Sequence, residues 1–389
     1  MATGYRCDAM PDVVVAGHVS FDLFPALHGP VVLEPGGLVV AGPVRLSTGG
    51  VVTNTGLALH RLGVDVRLIG RVGGDLFGRA VLDVLRERDP ALITHLVVCE
   101  GEATSYTLVF NPPGVDRSFV ACAGANATFT AADVPVGLVA GARLFHFGYP
   151  PMMPLMYADG GAQLAELFES VRGAGAATSL DMCGIDPGSD AGAVDWEAVL
   201  AATLPHVDLF APTLDEILFM LDRSTAEDSA IGRSRLASLS GRLIEMGAAV
   251  AAIKLGDRGL YLRTTSDAAR IDDLAGRVPI DRVSWLGAEV FAPCFEPESL
   301  AGTTGSGDAT IAGLLAALLR GADPLAAATA ATAVGACSVE APDATSGIPS
   351  WEQVAARIAS GWRRRATTLE FGAELAGASE ASGRAALAP

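Results

Sequence analysis

The chain contains 389 residues, carries a formal net charge of −17 and is half hydrophobic, with a mean hydropathy of +0.38. This length and apolar content predict a globular protein with one large α/β domain or two smaller ones. The acidic balance excludes nucleic acid and anionic membrane as partners, and no apolar run approaches the roughly 20 residues of a membrane span.

Cysteine usage points to a reducing compartment. The six cysteines form no CxxC pair, and the six histidines show no metal-ligand spacing. Residues 1–12 contain no apolar signal segment. We therefore expect free thiols in a cytoplasmic protein.

The first predicted strand is the apolar run Asp12-Val13-Val14-Val15-Ala16-Gly17, which is typical of a buried parallel strand. Asp22 follows it closely, at the end of a strand where open α/β sheets place ligand-binding groups. Residues 31–46 alternate short apolar runs with Gly and Pro, which predicts strands of a small accessory sheet.

A glycine turn then opens a helix. The stretch Ser47-Thr48-Gly49-Gly50 leads into a predicted helix with Asn54 on its first turns and Gly63 at its C-terminus. A strand, a loop and a further helix start follow over residues 66–78. Residues 106–110 and 118–121 predict a hairpin around Asn111-Pro112-Pro113-Gly114, which we assign to the accessory sheet.

From about residue 142 the pattern becomes βαβα. Apolar strands are predicted at residues 144–147, 178–180, 209–210, 250–253 and 260–262, with helical stretches between several of them. This alternation predicts a doubly wound, mostly parallel sheet. Residues after about 371 are predicted to form a flexible tail.

A second glycine-rich turn, Gly302-Thr303-Thr304-Gly305-Ser306-Gly307-Asp308, runs into an apolar helix rich in Ala and Leu. The free N–H groups and the dipole at such a helix start form an anion site, which phosphate usually occupies. Asp308 suits a group that takes a proton from an attacking hydroxyl, and the dipole predicts that it is ionised. Gly-rich turns are common, however, and this one lacks the Lys-Ser/Thr pair of a Walker A loop. The turn alone therefore favours a plain loop.

Taken in order, these motifs resemble those of the PfkB, or ribokinase-like, family of carbohydrate kinases over roughly residues 11–360. Residues 305–308 look like the family's GAGD signature, and Gly49-Gly50 with Asn54, followed by residues 70–78, looks like its first signature. Further matches are residues 123–126, 211–216, 254–259 and 348–349.

The resemblance implies an α/β, ribokinase-like fold: a doubly wound, mostly parallel sheet flanked by helices, with a small β-sheet lid. It implies one kinase domain over residues 11–372, with lid strands from about 18–48 and 99–124. Residues 373–389 would be the tail.

The resemblance also implies roles for individual residues. Asp308 would be the general base, and the N–H groups of Gly305, Ser306 and Gly307 would form an anion hole. Glu216 would organise Mg²⁺ through water. The residues implied in sugar binding are Asp22, Gly49, Gly50 and Asn54. Those implied in nucleotide binding are Lys254, Gly256, Gly259 and Thr304.

The sequence departs from the family pattern at four positions. The family usually has Asp where Gly302 stands, and that Asp helps to hold a monovalent cation. Asn is frequent where Thr213 and Ser20 stand. Val51 occupies a position where kinases of phosphorylated sugars often carry Lys, which favours an unphosphorylated sugar.

Several assignments keep a structural alternative. Asp22 is otherwise a turn residue, Asn54 a hydrogen bonder at a helix start, and Glu216 a surface charge. Tyr149 either stacks on the sugar or packs in the core. Asp181, at the end of an apolar strand, either lines the phosphate side or is structural.

The sequence thus predicts an ATP-dependent kinase that phosphorylates a primary hydroxyl of a small sugar or sugar-like compound. Mg²⁺ and a weakly bound monovalent cation are the expected ions, and a homodimer through the lid is left open. A nucleoside kinase of the same fold and a catalytically silent sugar-binding regulatory protein remain alternatives.

Overall fold

Short apolar runs form the strands of the main sheet, as their sequence predicts. In a computed structural model that describes residues 10–32, 34–112, 117–224 and 231–366, every residue of the first strand is buried. Such strands are apolar throughout because helices cover both of their faces. The predicted tail and the Pro113-Gly114 part of the hairpin turn lie outside the described residues.

The described residues form thirteen strands. They are β1 (Val13–Gly17), β2 (Ser20–Pro25), β3 (Val44–Gly49), β4 (Val66–Gly73), β5 (Leu96–Cys99), β6 (Tyr106–Phe110), β7 (Ser118–Cys122), β8 (Leu144–Gly148), β9 (Ala177–Asp181), β10 (Leu209–Phe210), β11 (Val250–Lys254), β12 (Leu260–Thr264) and β13 (Glu289–Ala292).

Nine strands form one sheet in the order β13-β12-β11-β10-β9-β8-β1-β4-β5. β12 runs antiparallel to both of its neighbours, and the other neighbouring pairs are parallel. The predicted doubly wound, mostly parallel sheet is confirmed. Its register places Gly17 beside Gly148 and Gly148 beside Asp181, so three parallel strands end at one edge.

The other four strands form a separate small sheet in the order β3-β2-β6-β7. The predicted hairpin is present as the antiparallel pair β6–β7. The strands predicted within residues 31–46 are wrong for most of that range, because the described residues between 26 and 43 contain no strand and β3 begins only at Val44. Closely spaced Gly and Pro residues there deprive the chain of a continuous hydrogen-bonding ladder.

The described residues also form fourteen α-helices. They are α1 (Val51–Arg61), α2 (Leu76–Arg88), α3 (Val136–Val139), α4 (Pro154–Tyr157), α5 (Ala162–Gly173), α6 (Asp190–Ala193), α7 (Trp196–Thr203), α8 (Leu214–Asp222), α9 (Arg233–Glu245), α10 (Ala268–Ala275), α11 (Arg282–Trp285), α12 (Ser306–Leu319), α13 (Pro324–Ser338) and α14 (Trp351–Ala359).

Two hydrophobic cores lie on the two faces of the main sheet. Helices α1, α2, α12 and α13 contribute to one, and α5, α7, α8 and α9 contribute to the other. All residues of α13 and most residues of α12 are buried, as the Ala-rich sequence of α12 predicts. The small side chains allow close approach: a Cβ at Gly313 would lie 2.9 Å from the Ala330 carbonyl oxygen. This packing fixes the N-terminus of α12 over the edge where the parallel strands end.

Candidate active site

A cleft of about 820 Å³ lies where the strand ends of the main sheet, the small sheet and the N-terminus of α12 meet. Its lining contains all but one of the residues implied by the family resemblance. Those present are Asp22, Gly50, Asn54, Tyr149, Glu216, Lys254, Gly256, Gly259, Thr304, Gly305, Ser306, Gly307 and Asp308. Gly49 does not line the cleft, but a Cβ at that position would lie within 2.4 Å of the Asp22 carboxylate. Any larger residue there would displace Asp22.

Asp308 lies in the first turn of α12, buried at the cleft, with its carboxylate held by three donors. Asn54 Nδ2 donates to Oδ2 at 3.0 Å, and Thr55 Oγ1 donates to Oδ1 at 3.3 Å. The Tyr149 hydroxyl lies 3.0 Å from Oδ1 and 2.9 Å from Oδ2. The carboxylate is therefore oriented by residues from α1 and from the end of β8.

The pKa of Asp308 shifts in the direction opposite to the one that the helix dipole alone would produce. Burial raises the pKa of Asp308 above its ordinary value, although hydrogen bonds from Asn54, Tyr149 and Thr55 and the charge of Lys254 reduce that rise. Desolvation penalises a buried carboxylate more than these favourable contacts stabilise it. A raised pKa makes the carboxylate a better proton acceptor once it is ionised.

Tyr149 reaches Asp308 through an unusual backbone conformation. It is one of three non-glycine residues with positive φ in the described structure, at φ 68°. Such a conformation carries a cost on the order of 1 kcal/mol and persists where the surroundings impose it. Stacking of Tyr149 on a sugar stays a prediction; the contact seen is with Asp308.

The glycine turn before α12 has the form that an anion site requires. Gly305 is the N-cap with φ 74°, and a Cβ there would lie 2.3 Å from the Cβ of Ala344. No described side chain caps this helix start, so its N-terminal N–H groups are directed at the cleft. The Ser306 N–H already donates to the Thr303 carbonyl at 3.3 Å.

The single lysine forms a buried ion pair at the same site. Lys254 Nζ, at the end of β11, donates to Asp181 Oδ1 at 2.7 Å, and both side chains are less than a tenth exposed. Burial lowers the pKa of Lys254, but the carboxylates of Asp181 and Glu216 outweigh burial and raise it overall. A Cβ at Gly307 would lie 3.6 Å from Lys254 Nζ, so the ammonium sits directly beneath the glycine turn.

Asp22 faces the other end of the cleft, on β2 of the small sheet. Ser20 Oγ donates to Asp22 Oδ1 at 2.8 Å. Burial raises the pKa of Asp22 to about 6, although the hydrogen bonds from Ser20 and Thr107 lower it. Asp22 and Asp308 therefore offer two buried acceptors to a hydroxylated ligand.

Comparison with known proteins decides the family. A model described as the pfkB family of carbohydrate kinases matches residues 10–351. The chain belongs to this family. It is a sugar or nucleoside kinase of the PfkB family, and it uses ATP.

Relatives and solved structures agree with this assignment. An uncharacterized sugar kinase of Archaeoglobus fulgidus is 25% identical over 299 residues, covering 75% of this chain and 98% of the relative. A nucleoside kinase of Methanothermobacter thermautotrophicus is 25% identical over 352 residues, covering 90% and 96%. Arabidopsis thaliana ribokinase, solved with ribose and ATP, has a TM-score of 0.68 at 17% identity, covering 89% of this chain and 98% of that chain. This last likeness shows the ribokinase-like fold.

Mg²⁺ is the usual partner of PfkB kinases, and Glu216 is the residue expected to organise it. Glu216 forms a capping box with Thr213: its Oε2 accepts from the Thr213 N–H at 2.7 Å, and its N–H donates to Thr213 Oγ1 at 3.2 Å. Within the described ranges, no group of three or more His, Cys, Asp or Glu is arranged to hold a metal ion. The Glu216 carboxylate, which lines the cleft, nevertheless fits Mg²⁺, because this ion keeps several waters and takes phosphate ligands.

Gly302, where the PfkB family usually has Asp, lies beside two backbone carbonyls. A Cβ at Gly302 would lie 3.2 Å from the Pro342 carbonyl oxygen and 3.3 Å from that of Ala341. Carbonyl oxygens are ligands for hard cations, but they carry no full charge. The weakly bound monovalent cation stays a prediction.

Several cleft residues escaped the sequence analysis. Arg117 and Phe119 come from the small sheet and its hairpin, and Arg117 donates to Thr303 Oγ1 of the glycine turn. Phe119 and Ala121 of β7 both line the cleft. The period-two alternation of side chains along a strand could have placed these two residues on one face from the sequence. Arg365 comes from far along the chain, and no local pattern marks it.

The structure also bears on membrane association. Among the described helices, none is both long and apolar enough to cross a bilayer.

Proposed function

We propose that this kinase transfers the γ-phosphoryl group of ATP to a primary hydroxyl of a small sugar, with Asp308 as general base. The observation that carries the proposal is the buried Asp308 carboxylate, held by Asn54, Thr55 and Tyr149 at an uncapped helix start. An oriented carboxylate beside an anion site provides a proton acceptor next to the place where phosphate binds.

The proposed phosphoryl transfer is an in-line displacement at the γ-phosphorus. Asp308 accepts the proton of the sugar hydroxyl while that oxygen forms a bond to the γ-phosphorus. The bond from the γ-phosphorus to the bridging oxygen breaks, and ADP leaves with the electron pair. The N–H groups of Gly305, Ser306 and Gly307 would stabilise the charge on the transferred group. Mg²⁺, when bound through water by Glu216, would neutralise charge on the phosphates.

The sugar end of the cleft supports an uncharged substrate. Asp22 and Asn54 would bind sugar hydroxyls; Asn54 donates one amide hydrogen to Asp308 and has a second available. Val51 is fully buried, and its side chain lies against Gly17 and Gly148. No cation therefore stands at the position where kinases of phosphorylated sugars often carry Lys.

The first test is an ATP-consumption screen over pentoses, hexoses, sugar acids and nucleosides. We expect turnover with at least one unphosphorylated sugar. Absence of turnover with every compound would favour the silent, sugar-binding alternative.

The second test is Asp308→Asn, which keeps the shape of the side chain and removes the base. We expect turnover to fall by about 10²–10⁴-fold, the usual contribution of general-base assistance, with ATP and sugar affinities changed only a few-fold. Steady-state kinetics and calorimetric binding on the same protein measure both quantities. Near-normal turnover in the Asn variant would contradict the mechanism.

A nucleoside kinase is the second candidate, and two observations favour it. The Methanothermobacter relative is named a nucleoside kinase. Phe119 lines the cleft and is 53% exposed, so its ring is available to stack on a base. A higher kcat/KM for a nucleoside than for any free sugar in the same screen would select this candidate.

The cation dependence is also a prediction of this proposal. With Gly302 in place of a carboxylate, we expect K⁺ to activate only modestly, by less than about ten-fold, because backbone carbonyls alone bind a hard cation weakly. Initial rates measured across a series of K⁺ concentrations at constant ionic strength check this. Stimulation by several tens of fold would mean that backbone carbonyls around residues 341–348 or another acid compensate.

A further inference from the structure

The described chain continues past the family match, and this continuation returns to the cleft. The match ends at residue 351, whereas helix α14 runs to Ala359 and described residues extend to 366. Residues 363–365 pair with the segment that follows β13: the Arg365 N–H donates to the Cys294 carbonyl at 2.8 Å, and the Glu296 N–H donates to the Arg363 carbonyl at 2.9 Å. The continuation therefore forms a short antiparallel pairing.

Two side chains anchor this pairing to the core. Trp362 stacks on Phe295 with 4.5 Å between ring centroids, and its Nε1 donates to the Glu296 carbonyl at 2.7 Å. The Arg364 guanidinium lies 3.7 Å from the Phe295 ring centroid and donates to Thr329 and Thr332 of α13 at 3.1 Å. Because Trp362 and Arg364 are held in this way and the Arg365 N–H is itself bonded to the Cys294 carbonyl, the position of Arg365 is set by the fold.

Arg365 brings a positive charge to the end of the cleft away from the sugar side. Its Nη2 donates to Asp257 Oδ2 at 3.0 Å, and its side chain is 44% exposed. The surrounding lining is largely apolar and accommodates a flat base; it comprises Cys294, Phe295, Pro297, Leu300, Ala336 and Val339.

The charge balance of the cleft makes this position important. The carboxylates in its lining are Asp22, Asp181, Glu216, Asp257 and Asp308, and the cations are Arg117, Lys254 and Arg365. Lys254 is already engaged by a buried carboxylate. A nucleoside triphosphate carries several negative charges, so a carboxylate-rich cleft in a protein of net charge −17 requires placed cations to accept it.

We propose that Arg365, which the anchored pairing holds at the cleft, forms part of the nucleotide site and contacts the nucleotide through its charge. The inference rests on the proposed function, since it takes a nucleoside triphosphate as the co-substrate. On binding, the guanidinium exchanges part of its contact with Asp257 for the anionic nucleotide. Arg365 is thus a specificity-determining residue for the phosphate donor and has no part in sugar binding.

The test compares Arg365→Ala with Arg363→Ala as a matched control. Arg363 is two residues away, its side chain is 81% exposed, it pairs with Glu296, and it does not line the cleft. We expect Arg365→Ala to weaken binding of a non-hydrolysable ATP analogue about ten-fold, which is the effect of one charged contact worth about 1.4 kcal/mol. Arg365→Lys retains most of the affinity because it retains the charge. The KM for the phosphoryl acceptor is unchanged in all three variants.

A spectroscopic measurement separates this inference from the kinase proposal itself. The other three tryptophans, Trp196, Trp285 and Trp351, are buried, whereas Trp362 stacks on Phe295, which lines the cleft. We therefore expect nucleotide binding to change the emission of Trp362. Binding to the wild type without a Trp362 signal, and with Arg365→Ala within two-fold of wild type, would overturn this inference alone. No binding of the analogue to the wild type would overturn both.

Discussion

At the scale of single residues, the contact between Tyr149 and Asp308 has the largest chemical consequence. The phenol donates to a buried carboxylate and so favours its ionised form, while burial opposes that form. Lys254 lowers the pKa of Asp308 in the same direction as the phenol. Under the proposed mechanism Tyr149 would act as a positioning residue for Asp308 and would set the pH at which the carboxylate can accept a proton.

Tyr149→Phe tests this role through a pH profile. Removing the hydroxyl raises the pKa of Asp308 further, so the acid limb of the kcat/KM profile should shift to higher pH by about one unit, the worth of one charged hydrogen bond. Under the proposed mechanism, activity should be lost as the pH falls, because a protonated Asp308 accepts no proton. The matched control is Tyr157→Phe: Tyr157 packs on Trp196 and does not line the cleft.

An unchanged acid limb in Tyr149→Phe would contradict the positioning role, even if turnover fell. A general loss of packing would lower activity at all pH values without moving the limb. The profile therefore separates the two explanations.

At the scale of elements, helices α5 and α10 are joined to the start of β10 by a buried charge cluster. Asp208 accepts from Arg172, from Arg270 at 3.1 Å and from Arg277 at 3.2 Å, and its side chain is 1% exposed. It also accepts from the Thr178 N–H at 2.9 Å. This cluster lies at the end of the sheet opposite the cleft, so its contribution is to the stability of the sheet and not to chemistry.

Asp208→Asn should lower the free energy of unfolding by about 3–5 kcal/mol, because it leaves three arginines around an uncharged group. Asp273→Asn is the matched control, since Asp273 pairs with the same three arginines but is 37% exposed; its loss should cost only about 0–1 kcal/mol. Urea denaturation of both variants measures the difference. Equal losses of unfolding free energy in the two variants would show that the burial of Asp208 does not determine how much the cluster stabilises the sheet.

At the scale of the whole molecule, the small sheet exposes apolar side chains on its two edge strands. Val44 and Leu46 of β3 and Val120 of β7 are about half exposed, and no described strand pairs with the outer edge of either strand. Exposed apolar edges are places where β-sheets associate. The homodimer through the lid that the sequence left open is therefore a reasonable proposal.

Light scattering after size exclusion tests the dimer directly. We expect a mass of about twice 39.7 kDa for the wild type, and a monomer when Leu46 is replaced by Arg, because a charge at an apolar interface is costly. The control is Leu286→Arg, an exposed position outside the small sheet. A monomeric wild type at micromolar concentration would contradict the dimer proposal.

The sequence by itself determined the elements whose signals are local. Continuous apolar runs predicted the parallel strands, and the glycine turn with its Ala-rich continuation predicted α12 and the site at its start. The strand prediction failed between residues 31 and 43. Alternating apolar runs there resemble strands, but Gly and Pro prevent a continuous hydrogen-bonding ladder.

Only the tertiary structure decided how the site's groups meet. Asn54 and Asp308 are separated by 254 residues, Tyr149 and Asp308 by 159, and Asp257 and Arg365 by 108. The pKa of Asp308 follows from its burial, which depends on how α1, β8 and α12 pack together and is not encoded in the helix start alone. Periodicity and turn chemistry act over a few residues, whereas desolvation and side-chain pairing depend on which distant segments the fold brings into contact.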